Sequence, residues 1–190
     1  METRYFLAIE VDDHVKVHVK ELQDRVKDCE ADVKLVEPEN LHFTVKFLGN
    51  LDQTTIRRVI DVLTPPLECE FTSKVSVQGI GSFGPSSSPR IIWAGVSTGK
   101  PYLAGLFGVI SEKINDLGLK TDEKEQIPHI TIGRVRSDKN ISKLKEIISK
   151  ESETFFGETE ITAIKLKTSR LTPSGPEYSD VHVFLLKRRP

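Results

Sequence analysis

The chain has 190 residues, of which 37% are hydrophobic and 29% are charged. This balance is typical of a globular domain and provides enough apolar residues for one substantial core. The formal net charge of −1 excludes a protein that coats nucleic acid through bulk electrostatics. It does not exclude a local basic pocket that binds one phosphate.

Cysteine content and the N-terminal sequence predict the compartment. The two cysteines, Cys29 and Cys69, are too few for a disulfide framework. The N-terminus leads into an alternating strand pattern without the basic and long apolar regions of a secretory signal. No apolar run approaches the roughly 20 residues that span a bilayer. We therefore expect a cytoplasmic protein without membrane contact.

Hydrophobic periodicity predicts alternating strands and helices along the chain. The first half contains a strand at 4–10, a helix at about 13–28, a strand at 41–48, a helix that is capped by Asp52 and ends before Pro65, a strand at about 68–80 and a loop at 81–89. The second half contains a strand at 90–96, a helix from Leu103 to Leu117 with Gly118 at its C′ position, a strand at 129–135, a helix at 141–148, and strands at about 158–169 and 180–187. Phe47, Trp93 and Phe107 are predicted core residues.

The order of elements in the first half is repeated in the second half. Arg4 and Arg90 open corresponding strands and precede His42 and His129 by nearly the same number of residues. The pattern predicts an α+β fold built from duplicated strand-helix-strand units. We expect a pseudo-two-fold axis to relate the two units. The whole chain would be one domain, with an internal repeat at approximately 1–80 and 90–170.

Two His-x-Thr-x tetrads occupy corresponding positions of this repeat. They are His42-Phe43-Thr44-Val45 and His129-Ile130-Thr131-Ile132. Residues two apart in a strand point to the same face, so each tetrad presents an imidazole and a hydroxyl together, with apolar residues behind them. One such tetrad is usually an ordinary surface or core feature, but two in matching positions favour a shared site.

The tetrads suit phosphodiester chemistry. Opening a cyclic phosphate needs a base that takes a proton from water and an acid that protonates the departing ribose oxygen. Two histidines with pKa values near ~6.5 can divide these roles at neutral pH. The hydroxyls of Thr44 and Thr131 can donate to the non-bridging phosphate oxygens.

A metal site is the alternative interpretation of the two histidines. Catalytic zinc generally takes three protein ligands, and neither tetrad carries Asp, Glu or Cys on the face of its histidine. His14, His18 or His182 would have to supply a third ligand. We therefore predict no metal and no cofactor.

Five segments resemble the 2H phosphoesterase superfamily, and within it the RNA 2′,3′-cyclic phosphodiesterases, also called 2′-5′ RNA ligases. The segments lie at 4–9, 40–49, 90–96, 128–135 and 171–178, and they span nearly the whole chain. The resemblance implies a bilobal fold of two antiparallel sheets, with helices outside and a central groove. It implies a hydrolase that opens a terminal 2′,3′-cyclic phosphate to a 2′-phosphate, and it includes reversible 2′-5′ joining of RNA ends. It also implies that His42 is the proton donor and His129 the proton acceptor. The spacing of the tetrads is symmetric and leaves these two roles open.

Three further residues are candidates for substrate binding. Lys46 continues the His42–Thr44 face by simple alternation, although a solvated lysine would look the same. Alternation places Arg134 opposite His129 unless Gly133 permits a bulge that redirects it. Tyr178, in a predicted loop after Gly175-Pro176, could stack on a base or pack over an apolar edge.

The expected partner is an RNA 3′ end that bears a 2′,3′-cyclic phosphate, with tRNA halves as one such substrate, and the expected state is a monomer. Two alternatives remain open. The same chemistry could serve a small cyclic nucleotide, or the groove could bind RNA ends without catalysis. The two histidines argue against pure binding, because arginine or lysine would hold a phosphate better.

Overall fold

The computed structural model describes residues 3–119, 127–172 and 175–188. In chain order the elements are β1 (Thr3–Glu10), α1 (Asp13–Asp28), β2 (Val33–Leu35), a 3-10 turn (Pro38–Asn40), β3 (His42–Gly49), α2 (Gln53–Leu67), β4 (Ser73–Phe83), β5 (Ile91–Val96), α3 (Lys100–Asp116), β6 (Ile130–Val135), α4 (Ile141–Lys150), β7 (Phe155–Ile161), β8 (Ala163–Thr172) and β9 (Gly175–Leu185). No helix among these residues is long and apolar enough to cross a membrane. Pro173 and Ser174, from the fifth of the segments quoted above, lie outside the described residues.

The described strands form one nine-stranded antiparallel sheet. Its order is β7-β4-β5-β6-β3-β1-β8-β9, with β2 paired to β6. The predicted α+β fold with antiparallel strands is confirmed. The two predicted sheets are the halves of this one sheet, and the pair Phe43↔Ile130 joins β3 to β6 at its centre. The halves exchange strands, because β4 pairs with β5 of the second half while β8 pairs with β1 of the first.

The helices pack against this sheet in two pairs. Helix α1 contacts β7 and α4, and helix α2 contacts α3 and β9. The core lies between helices and sheet and includes Leu7, Leu22, Phe43, Leu63 and Phe156, each at most 1% exposed. The predicted core residue Phe107 is 5% exposed, so this prediction is confirmed.

Helix α2 corrects one predicted boundary. The Asp52 side chain accepts a hydrogen bond from the Thr55 backbone N–H at 2.8 Å, which confirms the predicted cap. The helix nevertheless continues through Pro65 and Pro66 to Leu67, so the predicted stop is wrong. The prolines remove two N–H donors from the final turn, so packing has to compensate for the lost hydrogen bonds. Burial of Leu67 on the core face stabilises that turn.

A β-bulge in each of the two tetrads interrupts the alternation on which the sequence predictions depended. Ala8 pairs with Thr44 but Leu7 pairs with Lys46, so Val45 is the extra residue in β3. As a result Val45 and Lys46 are both buried, and Phe47 turns outward with 58% of its surface exposed. The prediction of Phe47 as core is therefore wrong, and Lys46 does not simply continue the His42–Thr44 face.

The bulge in β6 occupies the corresponding position of the second tetrad. Trp93 pairs with Thr131 and Ile92 pairs with Gly133, so Ile132 is the extra residue. Ile132 and Gly133 are both buried, and Arg134 is exposed. This is the bulge that Gly133 was expected to permit. A Cβ at Gly133 would lie 2.7 Å from Val33 Cγ1, so a side chain there would displace β2.

Candidate active site

His42 opens β3, directly after the 3-10 turn that ends at Asn40. Its Nδ1 lies 2.7 Å from the Asn40 carbonyl oxygen. Because a carbonyl can only accept, Nδ1 carries a hydrogen and donates it, which leaves Nε2 as the nitrogen that exchanges protons. Thr44 Oγ1 lies 3.1 Å from Nε2, and its hydroxyl donates to that nitrogen when the ring is neutral.

His129 is held in the same way, immediately before β6. Its Nδ1 lies 2.7 Å from the Ile127 carbonyl oxygen, again two residues upstream. The Nε2 atom is therefore the exchangeable position here as well. Both tetrads use a backbone carbonyl to fix the tautomer and the orientation of the ring, so the local geometry of the two imidazoles is the same.

The pairing of β3 with β6 brings the two tetrads together. Phe43 and Ile130 are partners and both are fully buried on the core side. In an antiparallel pair, the residues that flank them lie on the other side of the sheet, with Thr44 across from His129 and Thr131 across from His42. The charge of His129 also acts on the pKa of His42. The two imidazoles and two hydroxyls therefore share one face at the centre of the sheet.

Aromatic rings enclose each imidazole from a different set of strands. The Phe6 ring lies 5.3 Å from the His42 ring, and the Tyr178 ring lies 5.7 Å from it, edge to face. Phe83 lies 4.8 Å from the His129 ring, and Trp93 lies 6.3 Å from it. The buried indole N–H of Trp93 has no hydrogen-bond acceptor within the described ranges. Trp93, a predicted core residue, lies beside His129 instead.

Four charged side chains form a network on the His42 side of this face. Lys165 and Lys167 each contact both Glu10 and Asp180, and the bonds from Lys165 Nζ to the two carboxylates are both 2.8 Å. Glu10 pairs with His42 across β1 and β3, and Lys167 pairs with Phe6 across β1 and β8. Burial alone raises the pKa of Glu10, but its bonds to the two lysines outweigh this and lower it.

Burial is the main influence on both imidazoles. It lowers the pKa of His42, and the charge of Lys167 lowers it further. The hydrogen bond to Asn40 and the charge of Glu10 act in the opposite direction and raise it. Burial also lowers the pKa of His129, which the hydrogen bond to Ile127 raises and the charge of Arg134 lowers. Both rings therefore favour the neutral form more than an exposed histidine does.

The described residues contain no group of three or more His, Cys, Asp and Glu side chains close enough to hold a metal ion. The two histidines are accompanied on their face by threonines, aromatic rings and the neutralised charge network. The donor set does not fit a catalytic zinc site, which generally needs three protein ligands.

The three further candidates differ in their exposure and in their neighbours. Arg134 is exposed, and its charge acts on the pKa values of both His129 and Tyr178. Tyr178 lies in β9, not in the predicted loop, and its ring packs 5.0 Å from Phe6. Lys46 is only 5% exposed. Their roles in binding remain predictions.

Sequence reasoning missed the other residues that surround the imidazoles. Phe6 lies in an uninterrupted buried run, so alternation could not show which face of β1 its side chain is on. Its spacing of four residues from Glu10 places both on one side of β1. Phe83 falls in the loop predicted from the following Gly84-Pro85, but β4 extends to Phe83. Lys165, Lys167 and Asp180 carry no local signal, since only the pairing of β1, β8 and β9 assembles them.

Comparison with known proteins identifies the family. Residues 3–182 match the family model described as the AKAP7 2′5′ RNA ligase-like domain. The chain is 36% identical over 186 residues to an RNA 2′,3′-cyclic phosphodiesterase of Methanothermobacter thermautotrophicus, covering 98% of this chain and 100% of the relative. It is 40% identical over 177 residues to an enzyme of the same name from Methanocaldococcus jannaschii, covering 92% and 96%.

Solved structures show the same fold. The protein TT0787 of Thermus thermophilus superposes with a TM-score of 0.83 at 22% identity, covering 98% of this chain and 100% of that one. The apo form of Escherichia coli LigT superposes with a TM-score of 0.80 at 19% identity, covering 98% and 99%. The nearly full-length match of the family model and the identities to the archaeal relatives show that the chain belongs to the AKAP7 2′5′ RNA ligase-like family of 2H phosphoesterases.

Proposed function

We propose that this protein is an RNA 2′,3′-cyclic phosphodiesterase that opens the terminal cyclic phosphate to a 2′-phosphate. The observation that carries the proposal is the pairing of β3 with β6, because it puts His42, Thr44, His129 and Thr131 on one face. The names of the archaeal relatives support the reaction and the RNA substrate. The cytoplasmic location, the monomeric state and tRNA halves as substrates stay predictions.

The reaction is a displacement at phosphorus. Neutral His129 takes a proton from water through Nε2, and the water oxygen forms a bond to phosphorus. The bond from phosphorus to the ribose O3′ breaks, and His42 delivers the proton on its Nε2 to that oxygen. The phosphate remains on O2′. The final state has a protonated His129 and a neutral His42, and proton exchange with solvent restores the starting state.

The two threonine hydroxyls stabilise the negative charge that develops on the phosphate. Thr44 donates to His42 Nε2 only while that nitrogen is unprotonated. Protonation of Nε2 frees the Thr44 hydroxyl hydrogen to bind a non-bridging phosphate oxygen, and Thr131 is placed to do the same beside His129. The substrate is itself an anion and stabilises the imidazolium form that burial alone disfavours.

The donor and acceptor roles follow the family resemblance, and the surroundings of His129 support them. Burial lowers the pKa of His129 and the charge of Arg134 lowers it further, and both favour the neutral form that a base requires. Around His42 the charges of Lys167 and Glu10 act in opposite directions. With a ribose hydroxyl in place of water and the steps reversed, the same groups would join RNA ends through a 2′-5′ bond.

The test uses an oligonucleotide with a 2′,3′-cyclic phosphate terminus and excess EDTA. We expect full activity with EDTA and a product that carries only a 2′-phosphate. A 3′-phosphate product, or activity that EDTA abolishes and divalent metal restores, contradicts the proposed reaction. Inclusion of an RNA acceptor with a free 5′-hydroxyl tests the joining reaction in the same experiment.

A further inference from the structure

Strand β2 places a lysine next to Arg134. The strand has three residues, and its central residue, Lys34, pairs with Arg134 across the antiparallel β2–β6 ladder. Both side chains are exposed, and direct partners in a ladder project from the same side of the sheet. Like charges directly opposite each other destabilise a sheet by a few tenths of a kcal/mol. This cost suggests that the two cations serve a ligand.

Lys34 also reaches the other half of the sheet. Its Nζ lies 3.7 Å from the position that a Cβ on Gly175 would occupy, at the start of β9. The same strand carries Tyr178, whose ring contacts His42. The charge of Arg134 acts on both Tyr178 and His129. Lys34 and Arg134 therefore lie next to the face that carries the two histidines. Lys34 lies between β9, which carries Tyr178, and β6, which begins immediately after His129 and carries Arg134.

Lys34 and Arg134 differ from the lysines of the charge network in their ion pairing. Lys165 and Lys167 are each neutralised by Glu10 and Asp180. Within residues 3–119, 127–172 and 175–188, neither Lys34 nor Arg134 has a carboxylate within the 4.0 Å of an ion pair. Their charge is therefore available to an anion, and the reacting phosphate accounts for only one anionic group.

We propose that Lys34 binds the phosphate on the 5′ side of the terminal nucleotide, and so favours polynucleotide ends over cyclic mononucleotides. This inference rests on the proposed function and adds a second phosphate subsite to it. Arg134 lies on β6, the strand that His129 immediately precedes, and serves the reacting phosphate. Lys34, on the neighbouring strand β2, serves the preceding phosphodiester. A flexible ammonium suits a backbone phosphate because it binds as a point charge without demanding one geometry.

The experiment compares two substrates that differ by one phosphate. One is a nucleoside 2′,3′-cyclic phosphate with a free 5′-hydroxyl, and the other is the same compound with a 5′-phosphate. The wild type is expected to prefer the 5′-phosphorylated substrate in kcat/KM. Lys34→Met keeps the apolar stem and removes the charge, so the preference should fall about tenfold with unchanged activity on the substrate that lacks the 5′-phosphate. Lys34→Arg should keep the preference.

The matched control is Lys74→Met, because Lys74 is an exposed strand lysine on β4, away from the histidines. It should leave both substrates unchanged. On a longer oligonucleotide, Lys34→Met should also reduce the slope of log kcat/KM against log salt by about 0.7. Equal losses on both substrates, or an unchanged preference, overturn the Lys34 subsite alone. If the wild type opens no cyclic phosphate, mononucleotide or oligonucleotide, the proposed function fails with it.

Discussion

Each imidazole donates a hydrogen bond to the backbone carbonyl two residues upstream, but the side chains around the two rings differ. On the His42 side, Glu10, Lys165, Lys167 and Asp180 form a charge network next to Phe6 and Tyr178. On the His129 side the neighbouring rings are uncharged, and Arg134 is the charged residue that acts on the imidazole. Trp93 lies over Gly81, where a Cβ would be 2.2 Å from the indole, and Phe83 stacks 5.4 Å from it.

The different surroundings of the two rings explain how a symmetric motif can support an asymmetric reaction. Continuing the β5–β6 register past Ala94 places Gly95 across from His129, as the β1–β3 register places Glu10 across from His42. A carboxylate beside one ring and a bare backbone beside the other give the two histidines different electrostatic surroundings. The tetrads alone are interchangeable, and the strands on either side of them are not.

The largest expected effect comes from removing either imidazole. His42→Ala and His129→Ala should each lower kcat/KM by about 10²–10⁴-fold, because each removes one proton-transfer group. Steady-state kinetics on a cyclic phosphate substrate measures the loss, and circular dichroism checks the fold. The control is His14→Ala, an exposed histidine on α1 that should retain activity. Near wild-type rates in either variant would remove that histidine from the reaction.

A smaller loss should follow a change behind Trp93. Gly81→Ala places a methyl group against the indole ring and displaces it from its position beside His129, so we expect a loss of about 1–3 kcal/mol in unfolding free energy together with reduced kcat. Urea denaturation and kinetics measure the two effects. The control is Gly105→Ala on α3, where a Cβ meets nothing within 4 Å, and it should stabilise the protein by about 0.5–1 kcal/mol. Full activity in Gly81→Ala would show that the Trp93 position is unimportant.

The charge network should produce the smallest effect, a shift in pH dependence. Lys167 lowers the pKa of His42 and Glu10 raises it. Lys167→Met should therefore move the pH at which His42 loses its proton upward, and Glu10→Gln should move it downward. NMR titration of the His42 ring measures both. Lys165→Met removes ion pairs to the same carboxylates and serves as the control for general disruption. Shifts of the same sign in Lys167→Met and Glu10→Gln would contradict this electrostatic account.

Much of the fold could be predicted from sequence because its elements carry strong local periodicity. The Asp52 cap and the left-handed Gly118 after α3 are local features, and both are found where expected. The bulges were harder to predict. The extra residue Val45 shifts the alternation of β3 by one position. This shift reverses the predicted exposure of Phe47 and buries Lys46.

The chemical core of the candidate site could also be predicted, whereas its surroundings could not. Each tetrad is one short run of sequence, so alternation alone identifies its imidazole and hydroxyl. The rings and charges around them come from β1, β4, β5, β8 and β9, which meet only through long-range pairing. Residues such as Lys167 and Asp180 therefore look like ordinary solvated charges until the register is known.

The central claim, that His129 is the base and His42 the acid, is tested most directly by the pH dependence of kcat/KM in three proteins. The wild type should give a bell whose acidic limb reports the base and whose alkaline limb reports the acid. Because burial lowers the pKa of His42, the alkaline decline should begin below the range of an exposed histidine, near ~6.5. Residual activity of His129→Ala should lack the acidic limb, and that of His42→Ala the alkaline limb. The opposite pattern would reverse the two roles, and loss of neither limb would contradict acid–base catalysis by this pair.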